Sequence, residues 1–312
     1  MTRPVRSRSV FGSFAPAPSF ALLAAGLALA APNNAVHAQV GVDQAAAALT
    51  LREIGPAVAG GRISDIAVHP HDPSTWYIGV GSGGVWKTTN AGTTFTPIFD
   101  EQPSYSIGEI ALDPSNPEVV WVGSGENVSG RHVAWGTGVY RSRDGGQTWE
   151  SMGLDASEHI GKILVHPDDS DVILVAAEGP LWSAGGEGGV YRSDDGGESW
   201  AAVLTVVEHT GVTDLEFAPD DPSTVYAATF QHRRHVWGYM AGGPGSGIWK
   251  STDAGASWRE VTTGLPTRDM GKIGLAVTPA DPDRVYATIE SNGGQEGFYR
   301  SLDRGESWEH RN

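Results

Sequence analysis

After residue 51 the apolar residues of this chain alternate with polar ones and never settle into helical spacing. "RISDIAV" (62–68) runs into a Pro-centred turn, "HPHDPS" (69–74), and then into "TWYIGV" (75–80). The same three-part spelling returns in "SIGEIALDPSNPEVVWVG" (106–123), "HIGKILVHPDDSDVILVA" (159–176), "GVTDLEFAPDDPSTVYAA" (211–228) and "KIGLAVTPADPDRVYAT" (272–288). Short alternating runs rich in β-branched and aromatic residues, bounded by Pro, Asp, Asn and Gly, predict strands joined by tight turns. A third strand follows in each unit as "GVWKT" (84–88), "GVYRS" (138–142 and 189–193), "GIWKS" (247–251) or "GFYRS" (297–301).

That third strand leads into an eight-residue turn spelled five times: "TTNAGTTF" (88–95), "SRDGGQTW" (142–149), "SDDGGESW" (193–200), "STDAGASW" (251–258) and "SLDRGESW" (301–308). From Asn90 to Asp144, Asp195, Asp253 and Asp303 the spacing is 54, 51, 58 and 50 residues. Four antiparallel strands in about fifty residues, repeated, predict the blades of a β-propeller. Each blade has two apolar faces that only a neighbouring blade can cover. The fold class is therefore all-β, with five blades at about 61–100, 105–153, 158–206, 210–264 and 270–312.

Within each turn the Ser or Thr hydroxyl and the Asp or Asn side chain can satisfy turn N–H groups. A glycine such as Gly146 can adopt a positive φ. Trp149, Trp200, Trp258 and Trp308 then open the fourth strand and are expected to pack between blades. Four acids and one amide repeated at five separate turns do not make one active site, so Asn90, Asp144, Asp195, Asp253 and Asp303 read as structural.

Composition adds a leader and an acidic surface. Arg3, Arg6 and Arg8 precede the apolar "FALLAAGLALAA" (20–31), and "AVHA" (35–38) offers small residues for cleavage after Ala38. Residues 1–38 therefore read as a signal peptide, with an uncleaved anchor as the alternative, and 39–60 as a lead-in. The mature chain is expected outside the cytoplasm, secreted or periplasmic, without membrane insertion. Removing 1–38 takes away three arginines and no acid, leaving 18 basic against 37 acidic side chains. So acidic a chain is a poor partner for nucleic acid. With no cysteine there is neither disulfide nor thiolate metal site, and no cofactor or metal is expected.

The repeated turns match the Asp-box, S/T-x-D-x-G-x-x-W/F, and residues 61–312 resemble secreted bacterial glycosyl-hydrolase-like BNR-repeat proteins, xyloglucanase-like propellers and the sortilin N-terminal domain. That resemblance implies a propeller but not one activity, because the fold hosts glycosidases and non-catalytic receptors alike. In xyloglucanase-like enzymes it implies a catalytic aspartate before the Gly-Gly-aromatic of the first blade; here "YIGVGSGGVW" (77–86) has Ser82 in that place. The sialidase pattern of an arginine triad and a tyrosine nucleophile is matched by Arg62 alone. The related proteins continue further than residue 312, which implies that more blades are encoded downstream.

Strand direction puts the box turns at one end of the propeller and the loops between second and third strands at the other. Those loops vary, and variable loops on a rigid scaffold are where binding concentrates. Arg131, His132, Trp135, Trp182, His232, Arg233, Arg234, His235 and Trp237 are the candidate ligand-binding residues, because aromatic faces stack on sugars and Arg or His supplies directed donors. The competing reading is that they pack their own loops. Glu126, Glu178 and Glu290 share this end and are the candidate acid–base residues, since hydrolysis needs a carboxylate pair. A charged column, Asp65, Glu109, Lys162 and Asp214, is expected to line the central channel. The sequence thus predicts a carbohydrate- or peptide-binding module, with a glycoside hydrolase of the xyloglucanase-like kind, or a scaffold within a larger secreted protein, as alternatives.

Overall fold

A computed structural model describes residues 61–311, so the leader and the lead-in lie outside the described residues. Five antiparallel sheets follow one another along the chain. The first is built from Ile63–Val68, Trp76–Val80, Gly84–Thr88 and Thr96–Pro97 in sequence order, and the other four sheets repeat that order. The fourth sheet carries a fifth strand, Tyr239–Ala241, hydrogen-bonded to the far end of its long second strand, Asp221–Arg234. Among the described residues no helix is long and apolar enough to cross a membrane.

First strands of consecutive blades lie side by side. They surround an open cavity of about 820 Å³ whose wall takes residues from every blade: Asp65, Glu109, Lys162, Asp214 and Lys272. The charged column therefore meets in the channel, where Lys162 Nζ stands 3.0 Å from Glu109. Asp65 and Asp214 accept the backbone N–H of Ile110 and Leu275 in the following blades, at 2.9 and 2.7 Å. Burial pushes the Glu109 carboxyl up to about 8, against the pull of Lys162, and Glu216 to about 7.

The core consists of apolar layers between blades. Alternation sends every second side chain of the second strand toward the preceding blade and the others toward the following one. Val120, Ile173, Val225 and Val285 take the first role and Tyr77, Trp121, Leu174 and Tyr226 the second, all buried. The box turns close each blade at one end. In blade two the Ser142 hydroxyl donates to Asp144 Oδ1 at 2.8 Å and accepts from Gly146 N–H at 2.8 Å. Thr148 N–H and hydroxyl donate to the two Asp144 oxygens at 2.8 and 2.7 Å. Two successive left-handed residues, Gly145 at φ 68° and Gly146 at φ 91°, make this geometry. At the first of these positions Ala254 and Arg304 accept the same strain, at φ 54° and 57°. The N–H of that residue docks on the turn between the first and second strands, as in Gly145 to Glu118 O at 2.9 Å and Arg304 to Asp283 O at 2.9 Å. Both kinds of turn thus share one end.

Trp149 and Trp200 donate their indole N–H to Ile98 O and Met152 O of the preceding blade, each at 2.7 Å. These two are half-buried, while Trp308 is 4% exposed.

Candidate binding face

At the end opposite the boxes, residues 124–137 of blade two cross over the channel. Lys272 of blade five donates to Asn127 O at 2.7 Å, and Arg234 of blade four donates from Nε to Ser129 O at 3.0 Å. The Arg234 guanidinium also lies 4.1 Å from the centre of the Tyr239 ring. The loop is therefore held by three blades and presents a fixed surface.

Its second half is pinned residue by residue. The Ser106 hydroxyl donates to Ala134 O at 2.7 Å, Gly136 N–H donates to Glu158 O at 2.7 Å, and Thr137 N–H donates to Ser124 Oγ at 2.8 Å. Between these anchors Trp135 stands 68% exposed. It walls a groove of about 430 Å³ together with Tyr105, Arg131 and His132, and Tyr105 is itself 62% exposed. Two large aromatic faces held open to water beside an exposed guanidinium and imidazole form a platform for a planar or ring-shaped ligand.

The three candidate carboxylates fare differently. Glu126 is fully buried and receives both Nε and Nη2 of Arg62, so it is committed to an ion pair. Arg62 Nη1 also lies 2.6 Å from His132 Nε2, which links the pair to the groove. Glu178 is buried, its Oε1 without a hydrogen-bond partner. It lies near His159, whose Nδ1 is 3.0 Å from Glu126 O and whose imidazole burial holds below its ordinary value. Glu290 is exposed, and its Oε2 accepts Lys272 N–H at 3.1 Å. Of the acid–base candidates, Glu126 and Glu178 are thus buried, Glu126 within its ion pair, and Glu290 is exposed.

A correction concerns residues 230–234, read from sequence as loop. They continue the second strand of blade four, Phe230 and Gln231 pairing with Gly211 and Thr210 and His232–Arg234 with Tyr239–Ala241, so alternation sends their side chains to opposite faces. His232 is buried and stacks on Phe230, ring centres 4.8 Å apart, which removes it from the binding surface. Arg234 is engaged as described, and Arg233 carries buried Nε and Nη1 atoms without hydrogen-bond partners. Beyond the strand, His235 stacks on Trp237 at 4.8 Å, with Trp237 85% exposed. Trp182 is 38% exposed on the neighbouring loop. Sequence reasoning overlooked Tyr105, just before the first strand of blade two, and His159. Only the Pro-Ser-aromatic spelling at 103–105, outside any strand pattern, marked Tyr105 as a loop aromatic.

Fold and turn geometry together define a protein of Asp-box propeller blades. Residues 137–241 match the Sortilin-Vps10 family, described as sortilin, neurotensin receptor 3. The chain is 25% identical to a xyloglucanase of Acetivibrio thermocellus over 63% of this chain and 25% of that protein. It is likewise 25% identical to a Paenibacillus xyloglucanase over 79% of this chain and 26% of that protein. It therefore spans about a quarter of the length of the curated relatives it matches. Among solved structures, the GH74 xyloglucanase of Xanthomonas campestris superposes with a TM-score of 0.59 at 24% identity, covering 79% of this chain and 38% of that one. YCF48 bound to D1 peptide superposes at 0.50 with 17% identity, covering 84% and 70%. These likenesses show the propeller-type fold.

Proposed function

We propose that this chain is an exported polysaccharide-binding propeller whose groove at Tyr105 and Trp135 seats a glucan backbone, with Arg131 and His132 as donors to sugar hydroxyls. The observation that carries the reading is the exposed aromatic pair on a loop pinned at both sides, since water-facing indole and phenol rings on a rigid platform gain by stacking on sugar faces. The names of the xyloglucanase relatives support a β-glucan as the polysaccharide. Hydrolysis is not the first reading, because Ser82 stands where the resemblance places a carboxylate and Glu126 is tied to Arg62.

Retention of the chain on xyloglucan, cellulose and mannan, with reducing ends assayed in the same tubes, tests this. Retention on a β-glucan without release, lost in Trp135→Ala, is the expected result. Release of reducing ends that disappears in Glu290→Gln would replace binding with catalysis, and no retention on any glycan would overturn the reading.

A further inference from the structure

Every joint between consecutive blades uses one device. The second strand of a blade offers a large side chain and the third strand a cation; the cation donates to the carbonyl of the fourth residue of the next blade's box, and the side chain meets that residue or the glycine after it, both at positive φ. Tyr77 Oη and Lys87 Nζ reach Gly145 O at 3.3 and 2.8 Å. Trp121 packs against the next box while Arg141 Nη1 donates to Gly196 O. Leu174 packs likewise, and Arg192 Nε donates to Ala254 O at 3.2 Å. Tyr226 Oη and Lys250 Nζ donate to Arg304 O at 3.0 and 2.8 Å. The left-handed turn thrusts this carbonyl outward, so box and joint are one structure.

Both ends of the series carry half of this joint. In blade five Tyr286 and Arg300 occupy the donor positions, by register with Tyr226 and Lys250. Tyr286 is half-buried where its four counterparts are at most 2% exposed. Arg300 turns back to Glu309 of its own blade at 3.0 Å, leaving its buried Nε without a partner. In blade one the box residue Ala91, at φ 52°, holds the acceptor position. Its first strand exposes Ile66 to 52%, whereas Ile110, Ile163, Leu215 and Leu275 at that position are at most 8% exposed. Ile63 and Val68 beside it are 55% and 49% exposed.

We propose that these faces are docking surfaces for further Asp-box blades, one presenting a left-handed box carbonyl to Arg300 and one presenting an aromatic–cation pair to Ala91. The partner is defined by that chemistry, and it is not a second copy of this chain. The channel cavity is walled by Ser64 and Asp65 of blade one as well as by Thr288 of blade five. Both half-joints therefore border the same channel, and blades that continue its wall meet both of them at once. The driving force is the apolar burial that already holds the four internal joints.

The chain has no cysteine, so a single thiol reports on each face. Thr288 lies on the row of Gly79, where an added Cβ would touch Ile107 and Ile110 of the next blade. Labelling of Thr288→Cys is measured in the 312-residue chain and in two extended chains, one carrying blades two and three again after Asn312, the other blades three and four. The expected result is fast labelling in the chain itself and at least tenfold slower labelling in an extended one, restored by Arg300→Glu, a change that leaves the unextended chain's labelling as it was. No protection from either extension overturns the proposal. Oxidative crosslinking of Thr288→Cys to Ile66→Cys overturns it as well. Such a link within one doubly substituted chain would mean that the ring closes on itself, and one between singly substituted chains that a second copy covers the face.

Discussion

The two ends of this propeller solve the same problem differently. At the box end, each Asp or Asn holds its own turn, and in blades two to five the turn's carbonyl is grasped by the previous blade, so local solutions add up to a scaffold. At the loop end a backbone bond closes every blade, as in Gly81 to Arg62 O and Gly125 to Ser106 O at 2.8 Å, but the long side-chain contacts are made once: Arg62 reaches Glu126 across 64 residues and Arg234 reaches Ser129 across 105. Repetition there would offer five equal sites. Divergence gives each part of that end its own shape, the groove at Trp135 among them. The comparison teaches that the box acids are occupied by structure, while the exposed aromatic face at the other end depends on contacts made once.

The sharpest way to break that comparison is to damage a joint. Trp121 is 2% exposed and touches the glycine of the third box. Trp121→Ala should cost roughly 3–5 kcal/mol, the range for a buried large aromatic, read as a lowered denaturation midpoint. Glycan retention by the fraction still folded should be unchanged. A loss of retention in fully folded protein would mean that the two ends are coupled.

The next effect is at the groove. Trp135→Ala and Tyr105→Ala should each weaken β-glucan binding about tenfold, as one lost aromatic contact of about 1.4 kcal/mol implies. Isothermal titration with oligosaccharides measures the affinity and calorimetric melting the stability. Because Trp135 is 68% exposed, the melting temperature should hardly move. A large drop in melting temperature with affinity intact would make Trp135 a packing residue and leave the groove without its platform.

What was legible in the sequence follows the same division. Blades, box turns and the channel column could be read because period-two alternation and a fifty-residue repeat force the same register each time. Trp149 and Trp200, placed after the box glycines, reach the preceding blade through their indole N–H groups. The loop end was legible only as composition. Alternation alone could not announce that Phe230–Arg234 continues a strand, since "FQHRRHVW" mixes polar and apolar residues without period. Pairing of Phe230 and Gln231 with the first strand and of His232–Arg234 with Tyr239–Ala241 decides it, and His232 is buried. Nor could Glu126 be told from an acid–base candidate, because its partner Arg62 lies in another blade.

The smallest effect concerns pH. It separates the box acids from the channel acids by sign. Hydrogen bonds from Thr148 to Asp144 and from Ser199 to Asp195 hold these carboxyls down at about 2, and Asp253 and Asp303 are lowered too. Unfolded aspartate titrates near about 3.9, so their stabilisation is complete above that pH and lost as pH falls toward 2. Glu109 and Glu216 sit the other way, raised by burial to about 8 and about 7. Their folded forms hold protons that unfolded glutamate, near about 4.3, has released. Their contribution is thus full below that value and lost as pH rises through 7 to 8. Denaturation midpoints against pH should therefore fall on both sides of a maximum near pH 4–5 as far as these groups decide it. Asp144→Asn, which copies the natural Asn90 of the first box, should keep the turn and flatten the acid limb slightly. Asp144→Ala should lower stability by about 1 kcal/mol at neutral pH. Glu109→Gln should flatten the other limb and leave the acid one alone. An acid limb that survives Asn at all four box aspartates would show that the turns are not where this protein's acid sensitivity resides.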